Sequence, residues 1–158
     1  MLDLDKYHYM SGTKGDFVVG NYEKKLEALI GLDTIKSSIR KIKAYAIANK
    51  GKSKINLHMY FLGNPGTGKT EVARIIAGIL HENGLLRTDK VVETDRSGLV
   101  AGYVGQTAIK TALTIGEAMG GVLFIDEAYS LVQGDSGNDY GHEAMSTLIK
   151  AMEDYRGE

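Results

Sequence analysis

The residues Gly63-Asn64-Pro65-Gly66-Thr67-Gly68-Lys69-Thr70 have the types and spacing G-x-x-x-x-G-K-[ST]. That arrangement suits the binding of a polyphosphate. Glycines let the backbone fold into a concave nest whose N–H groups converge on phosphate oxygens. A helix opening at the end of the loop brings its positive N-terminal end to the same place. The Lys69 ammonium is suited to the β- and γ-phosphates and the Thr70 hydroxyl to a Mg²⁺ ion. The expected ligand is ATP with Mg²⁺, held by Asn64, Pro65, Gly66, Thr67, Gly68, Lys69, Thr70 and Glu71. The competing reading is a glycine-rich turn without a ligand. Context weighs against it, because an apolar run, Leu57-His58-Met59-Tyr60-Phe61-Leu62, precedes the loop and an amphipathic stretch follows it.

A second group of residues completes that chemistry. Val122-Leu123-Phe124-Ile125-Asp126-Glu127 puts two carboxylates at the end of an apolar run. In a parallel sheet the strands end on one side, and ligands sit there. Asp126 is expected to share the Mg²⁺ with Thr70. Glu127 is expected to orient and deprotonate a water aimed at the γ-phosphate, so the catalytic pair is Glu127 and Lys69. A strand that simply ends in charges is the alternative.

The elements that must position these groups follow from hydrophobic periodicity. Leu57–Leu62 reads as a buried parallel strand. From about Gly68 to His81, Val72, Ile75, Ile76, Ile79 and Leu80 mark one face of a helix that ends at Asn83-Gly84. Val91 and Val92 seed a second strand. A less regular helix runs from Gly105 to about Met119, and Val122–Ile125 forms a third strand. A polar loop from Gln133 to Asp139 leads to a last helix with Met145, Leu148, Ile149 and Met152 on one face. Strands alternating with helices predict an α/β fold, a parallel sheet covered on both faces.

Upstream, Leu32, Ile35, Ile39 and Ile42 give an apolar stripe, and Gly31 divides the stretch from Tyr22 to Asn49 into two helices. Lys36, Arg40, Lys41, Lys43, Lys50, Lys52 and Lys54 make this region basic, either as a patch for a partner or phosphate or as a solvated helix face. The expected organisation is an N-terminal arm over 1–21, a helical segment and linker over 22–54, and the α/β core over 55–158. The arm's Tyr7, Tyr9 and Phe17 fit either a docking segment or a frayed terminus.

Composition narrows the function classes. The chain has 158 residues, enough for one domain with a real core. Its 43% hydrophobic and 25% charged residues are ordinary for a globular protein. A formal net charge of −1 argues against a nucleic-acid partner. With no cysteine, disulfides and Cys-based metal sites or nucleophiles are excluded. The N-terminal stretch carries Asp3, Asp5, Lys6, Lys14 and Asp16 without a sustained apolar core, so no secretory signal is expected. No apolar run is long enough to span a membrane. The expected location is cytoplasmic, with no membrane partner.

The two motifs resemble Walker A and Walker B of the AAA+ ATPases. The strings Gly31-Leu32-Asp33-Thr34-Ile35-Lys36, Leu62-Gly63-Asn64-Pro65-Gly66-Thr67-Gly68-Lys69-Thr70, Val100-Ala101-Gly102-Tyr103-Val104-Gly105-Gln106-Thr107-Ala108, Gly121-Val122-Leu123-Phe124-Ile125-Asp126-Glu127-Ala128-Tyr129 and Ala151-Met152-Glu153-Asp154-Tyr155-Arg156 resemble the group that contains red-type Rubisco activase and stage V sporulation protein K. The resemblance covers the chain from about Ala28 onward. It implies a P-loop NTPase fold, ATP hydrolysis, a protein client and a homo-oligomeric ring, a hexamer. It also implies that Ile30 and Gly31 lie against adenine, although a plain hydrophobic helix junction fits them equally. Tyr103, Val104 and Gly105 match a pore loop that grips a polypeptide, or Tyr103 packs locally. Gln133–Asp139 corresponds to a second pore loop.

The resemblance also implies parts that this sequence does not contain. A fourth strand with a sensor residue is expected between Leu57–Leu62 and Val122–Ile125, and an arginine finger and a helical lid come later. Arg156 matches none of these. The fold is thus expected to be truncated before the sensor-1 strand, with unpaired inner edges and a tendency to self-associate. An arginine finger contributes about 10³–10⁵ in rate, so the chain alone is expected to bind nucleotide with little or no turnover. Two other functions remain open: a nucleotide-binding scaffold without hydrolysis, and a DNA-processing AAA+ protein. Client-stimulated turnover favours the threading ATPase, and nucleotide-dependent assembly without turnover favours the scaffold.

Overall fold

The structure, a computed structural model, describes residues 21–49, 57–62, 66–103, 105–132 and 140–155. Residues 1–20 of the N-terminal arm, the linker at 50–56, Gly63, Asn64, Pro65, Val104, the loop Gln133–Asp139 and residues 156–158 lie outside the described residues.

Two helices open the described chain, α1 (Asn21–Ala28) and α2 (Asp33–Asn49), joined at Leu29-Ile30-Gly31-Leu32. Ile39 is buried and Ile35 packs against the same core, as the apolar stripe requires. Three of the basic residues of this stretch are engaged with α1, while Lys41 is exposed and Lys50, Lys52 and Lys54 lie outside the described residues. Lys36, Arg40 and Lys43 recur at spacings of four and three, so they share one side of α2. That side grips α1. Arg40 pairs with Glu27 at 2.5 Å, and Lys43 pairs with Glu23. Lys36 donates to the carbonyls of Glu27 and Leu29.

Helix α3 (Lys69–Glu82) is the centre of the first core cluster. Val72, Ile75, Ile76, Ile79 and Leu80 are all buried there with Leu26 and Ile39. Gly78 is also buried because the Tyr22 ring lies across it, and an added Cβ would stand 2.2 Å from Tyr22 Cγ. The Tyr22 hydroxyl donates to Asp89 Oδ2 at 2.6 Å, which fixes the ring. Gly78→Ala is therefore expected to lower stability by about 1–3 kcal/mol through overpacking. That loss outweighs alanine's helix-propensity gain of about 1 kcal/mol. Chemical denaturation of Gly78→Ala and of the Gly78→Ala/Tyr22→Ala pair checks this. The alanine should cost less once the ring is gone.

Strands β1 (Val91–Thr94) and β2 (Val122–Ile125) pair in parallel, with Val91 opposite Val122 and Thr94 opposite Ile125. Between them come the short helix α4 (Arg96–Leu99) and α5 (Thr107–Ala118). A 3-10 turn (Ala128–Leu131) follows β2, and α6 (Gly141–Asp154) ends the described chain. Helices flank both sides of the sheet. Leu99, Leu131, Ala144 and Leu148 form a second cluster, with Leu123, Ile125 and Ile115 packed against it. Parallel strands joined through an intervening helix, with apolar residues facing helices on both sides, make this an α/β fold of the P-loop NTPase kind.

One expectation needs correction. Leu57–Leu62 is not a buried strand. Among the described residues the sheet has two strands, and this run pairs with neither. Leu57, Met59 and Phe61 pack on the first cluster, and Phe61 meets Phe124 edge-on with ring centroids 6.2 Å apart. Tyr60 and Leu62 are 75% and 82% exposed. Burial at every second residue is what an extended segment covered on one side produces. The apolar face of α6 is likewise only partly covered. Ala144 and Leu148 are buried against α5 and the 3-10 turn, whereas Ile149 and Met152 are exposed.

Candidate functional site

The described part of the phosphate loop is Gly66-Thr67-Gly68, which runs directly into Lys69, Thr70 and Glu71 in the first turn of α3. Gly66 and Gly68 have φ of 75° and 81°, and a Cβ added at either would meet no atom within 4 Å. Both conformations favour glycine. The space beside them is open, so the backbone there is accessible to a ligand. Gly68 precedes α3 without a side-chain cap, and its carbonyl accepts from Val72 N at 3.0 Å. The first N–H groups of an α-helix have no partner within the helix. The Glu71 carboxylate stands 3.9 Å from Arg74 Nη1, and Arg74 Nε donates to Glu93 Oε1 at 2.8 Å. This chain of charges ties the first turns of α3 to β1.

Asp126 and Glu127 follow β2 directly and are exposed. Asp126 N donates to the Thr94 carbonyl at 2.8 Å, carrying the ladder one residue beyond the strand. Its Oδ1 accepts from Glu127 N at 3.0 Å. Glu127 has φ 47° and ψ 41°, a left-handed conformation that a residue with a Cβ adopts at a cost of about 1–2 kcal/mol. The Ser130 N–H donates to the Glu127 carbonyl at 2.8 Å and holds the turn. The Glu127 charge beside Tyr129 raises the tyrosine hydroxyl above its usual pKa, and desolvation and a hydrogen bond to Glu127 add to the rise.

Helix α3 packs against both strands, so the loop and the acidic pair belong to one body. The other candidates occupy different turns. Ile30 is 98% exposed between α1 and α2, and Gly31 beside it has φ 70°. Tyr103 is 73% exposed on the segment between α4 and α5, and Gly105 has φ 76°.

Several residues that position these turns were not singled out by sequence patterns. Arg96 Nη1 donates to the Ser130 carbonyl at 2.6 Å, joining α4 to the turn that follows Glu127. Thr107 and Thr111 are fully buried. Thr107 Oγ1 accepts from Ala101 N at 3.1 Å, and Thr111 Oγ1 donates to the Leu99 carbonyl at 3.0 Å. Lys110 Nζ donates to the carbonyls of Ser97 and Val100. Together they fasten the chain leading into the Tyr103 segment to α5. The available signal was the spacing of Thr107, Thr111 and Thr114, polar residues repeating at helical period on one face.

A positive-φ glycine loop opening a helix over a parallel sheet, with an acidic pair at a strand's carboxyl end, defines a P-loop nucleotide-binding module. The profile of the "ATPase family associated with various cellular activities (AAA)" matches residues 59–158, and the chain belongs to that family. Stage V sporulation protein K of Bacillus subtilis is 43% identical over 148 residues, which cover 89% of this chain and 46% of that protein. The chloroplastic ribulose bisphosphate carboxylase/oxygenase activase of Cyanidioschyzon merolae is 45% identical over 135 residues, covering 81% of this chain and 46% of the activase. The ESX-1 secretion system protein EccA1 of Mycobacterium tuberculosis is 46% identical over 143 residues, covering 85% of this chain and 25% of EccA1. The chain thus spans about half the length of the first two relatives and a quarter of the third. The nearly equal identities divide among distinct subfamilies, so the family is assigned and a single subfamily is not.

Proposed function

We propose that this chain is the ATP-binding core of an AAA+ ATPase that couples hydrolysis to remodelling or threading of a protein client through the pore of a homo-oligomeric ring. The observation that carries the reading is the glycine loop at the start of α3, packed in one body with the acidic turn at Asp126-Glu127. In this reading residues Asn64 to Glu71 surround the phosphates, and Ile30 and Gly31 contact adenine. Tyr103, Val104 and Gly105 form the client-gripping loop. The reading falls within the group that resembles Rubisco activase and stage V sporulation protein K. Two of the relatives bear names that point to quite different targets, an enzyme and a secretion system, and the client of this protein is left open accordingly.

The donor set fits Mg²⁺. Thr70 offers a hydroxyl and Asp126 a carboxylate, both hard oxygen ligands. Among the described residues no group of three or more His, Cys, Asp or Glu is placed to hold a metal. That suits an ion carried in with the nucleotide and completed by phosphate oxygens and water rather than a protein cage. Bound there, Mg²⁺ would neutralise charge developing on the phosphates. Glu127 would accept a proton from the attacking water, and the main-chain N–H groups at the start of α3 would hold phosphate oxygens.

ATP turnover by the full-length protein, measured with and without a chemically unfolded polypeptide, tests the proposal. Stimulation by the polypeptide, lost in Tyr103→Ala, is expected. Nucleotide-dependent assembly without turnover would favour a binding scaffold, and stimulation by DNA would favour a DNA-processing function.

A further inference from the structure

Lys36 is a lysine in an unusual place. It is 8% exposed, although lysine is almost never buried without partners. Its Nζ donates to the Leu29 carbonyl at 2.7 Å and the Glu27 carbonyl at 3.1 Å. Both acceptors lie at the end of α1, where carbonyls lack partners within the helix and the dipole attracts a cation. The main chain of the same residue holds the other side of the turn, because Lys36 N donates to the Leu32 carbonyl at 2.9 Å. Between these anchors Gly31 takes φ 70°, which glycine adopts freely, and Leu32 takes φ 61°, which is costly for a residue with a Cβ. Such conformations persist when surrounding bonds enforce them. The result is that Ile30, a large apolar side chain, stands 98% exposed.

The other basic residues on this side of α2 act elsewhere. Arg40 and Lys43 pair with carboxylates of α1 and join the two helices along their length. Lys36 alone of the three bonds to the Leu29 carbonyl, the residue beside Ile30. The turn is also packed against α3, the helix that the phosphate loop opens. Leu26 is buried with Val72 and Ile75 of α3, and Leu29 packs against that cluster.

We infer that Lys36 is a positioning residue for the nucleobase: it sets the turn that presents Ile30 and Gly31 to adenine while making no contact with nucleotide itself. This rests on the proposed base-contacting role of Ile30 and Gly31. It assigns the work of a buried ammonium to ligand selectivity rather than to holding the fold together.

Calorimetric binding of ATP and of inorganic tripolyphosphate to the full chain separates the two roles, because only ATP carries a base. Lys36→Met should weaken ATP about tenfold, as expected for loss of charged hydrogen bonds that fix a contact, and leave tripolyphosphate unchanged. Lys36→Gln, which keeps a donor, should lose less. Equal weakening of both ligands by Lys36→Met, or loss of cooperative unfolding in both variants, would mean a general structural role and overturn the inference. Ile30→Ala distinguishes the two layers of the argument. If it leaves the ATP-to-tripolyphosphate ratio unchanged, the base-contact reading itself fails. If it lowers the ratio while Lys36→Met does not, the base contact stands and the role of Lys36 is wrong.

Discussion

Lys69→Ala is expected to weaken ATP binding by about 30-fold or more, the effect of removing one partner from a hydrogen-bonded charge pair. The lysine begins α3 immediately after Gly68. Its ammonium is a compact point charge on a flexible stem, suited to bridging two phosphates that carry several negative charges. Removing it leaves the glycine loop and helix end to face those charges alone. Neutral N–H donors provide geometry but less Coulombic attraction. Titration with a fluorescent ATP analogue measures the loss, and binding equal to wild type would overturn the phosphate-loop assignment. Because Val72, Ile75, Ile76 and Ile79 bury α3 in the first core cluster, the variant should still unfold cooperatively. Weakened binding by a folded protein is therefore the expected signature.

Glu127→Gln should leave the Kd for ATP unchanged and reduce turnover of the full-length protein by about 10²–10⁴, the contribution of a positioned general base. Glutamine has almost the same shape, so the left-handed backbone at φ 47° and the Ser130 bond to the Glu127 carbonyl are retained. What changes is basicity, since an amide cannot accept the proton of the attacking water. Charge beside the site changes too. Glu127 raises the pKa of Tyr129, so its neutralisation should shift the tyrosine's titration back toward its ordinary value. Single-turnover hydrolysis and analogue binding, measured on one preparation, check both halves of the prediction. Retained turnover would remove Glu127 from the chemistry, and lost binding would indicate that it holds nucleotide or structure instead.

These two variants probe residues whose proposed roles were drawn from local chain properties. A glycine loop, the residue after it and the helix it opens are contiguous, and their effect on a phosphate arises from backbone conformation and helix polarity. The same holds for the break between α1 and α2 at Ile30-Gly31-Leu32, where glycine interrupts an apolar period, and for β2, whose four apolar residues end in two carboxylates. The periodicity of α3 was equally plain because a helix buried along most of its length carries apolar residues at every third and fourth position.

Other features depended on neighbours distant in sequence. The run Leu57–Leu62 has the composition of a strand buried on both faces, but burial requires something on each side, and Tyr60 and Leu62 are uncovered. The basic residues of α2 look the same in sequence whether they face solvent, phosphate or the carboxylates of another helix. Only the packing of α1 against α2 assigned Arg40 to Glu27 and Lys43 to Glu23.

The amino-acid sequence by itself determined the helices α3, α5 and α6, the strands β1 and β2, and the residue types available at Gly63–Thr70 and Asp126-Glu127, because those properties are carried by adjacent residues. The tertiary structure decided which side chains hold the turns in place: Lys36 at the end of α1, Arg96 on Ser130, Thr107 and Thr111 beneath the Tyr103 segment. Their acceptors and donors are backbone groups. Every residue has a carbonyl and nearly every one an N–H, so no sequence pattern marks the partner, and proximity in the folded chain selects it.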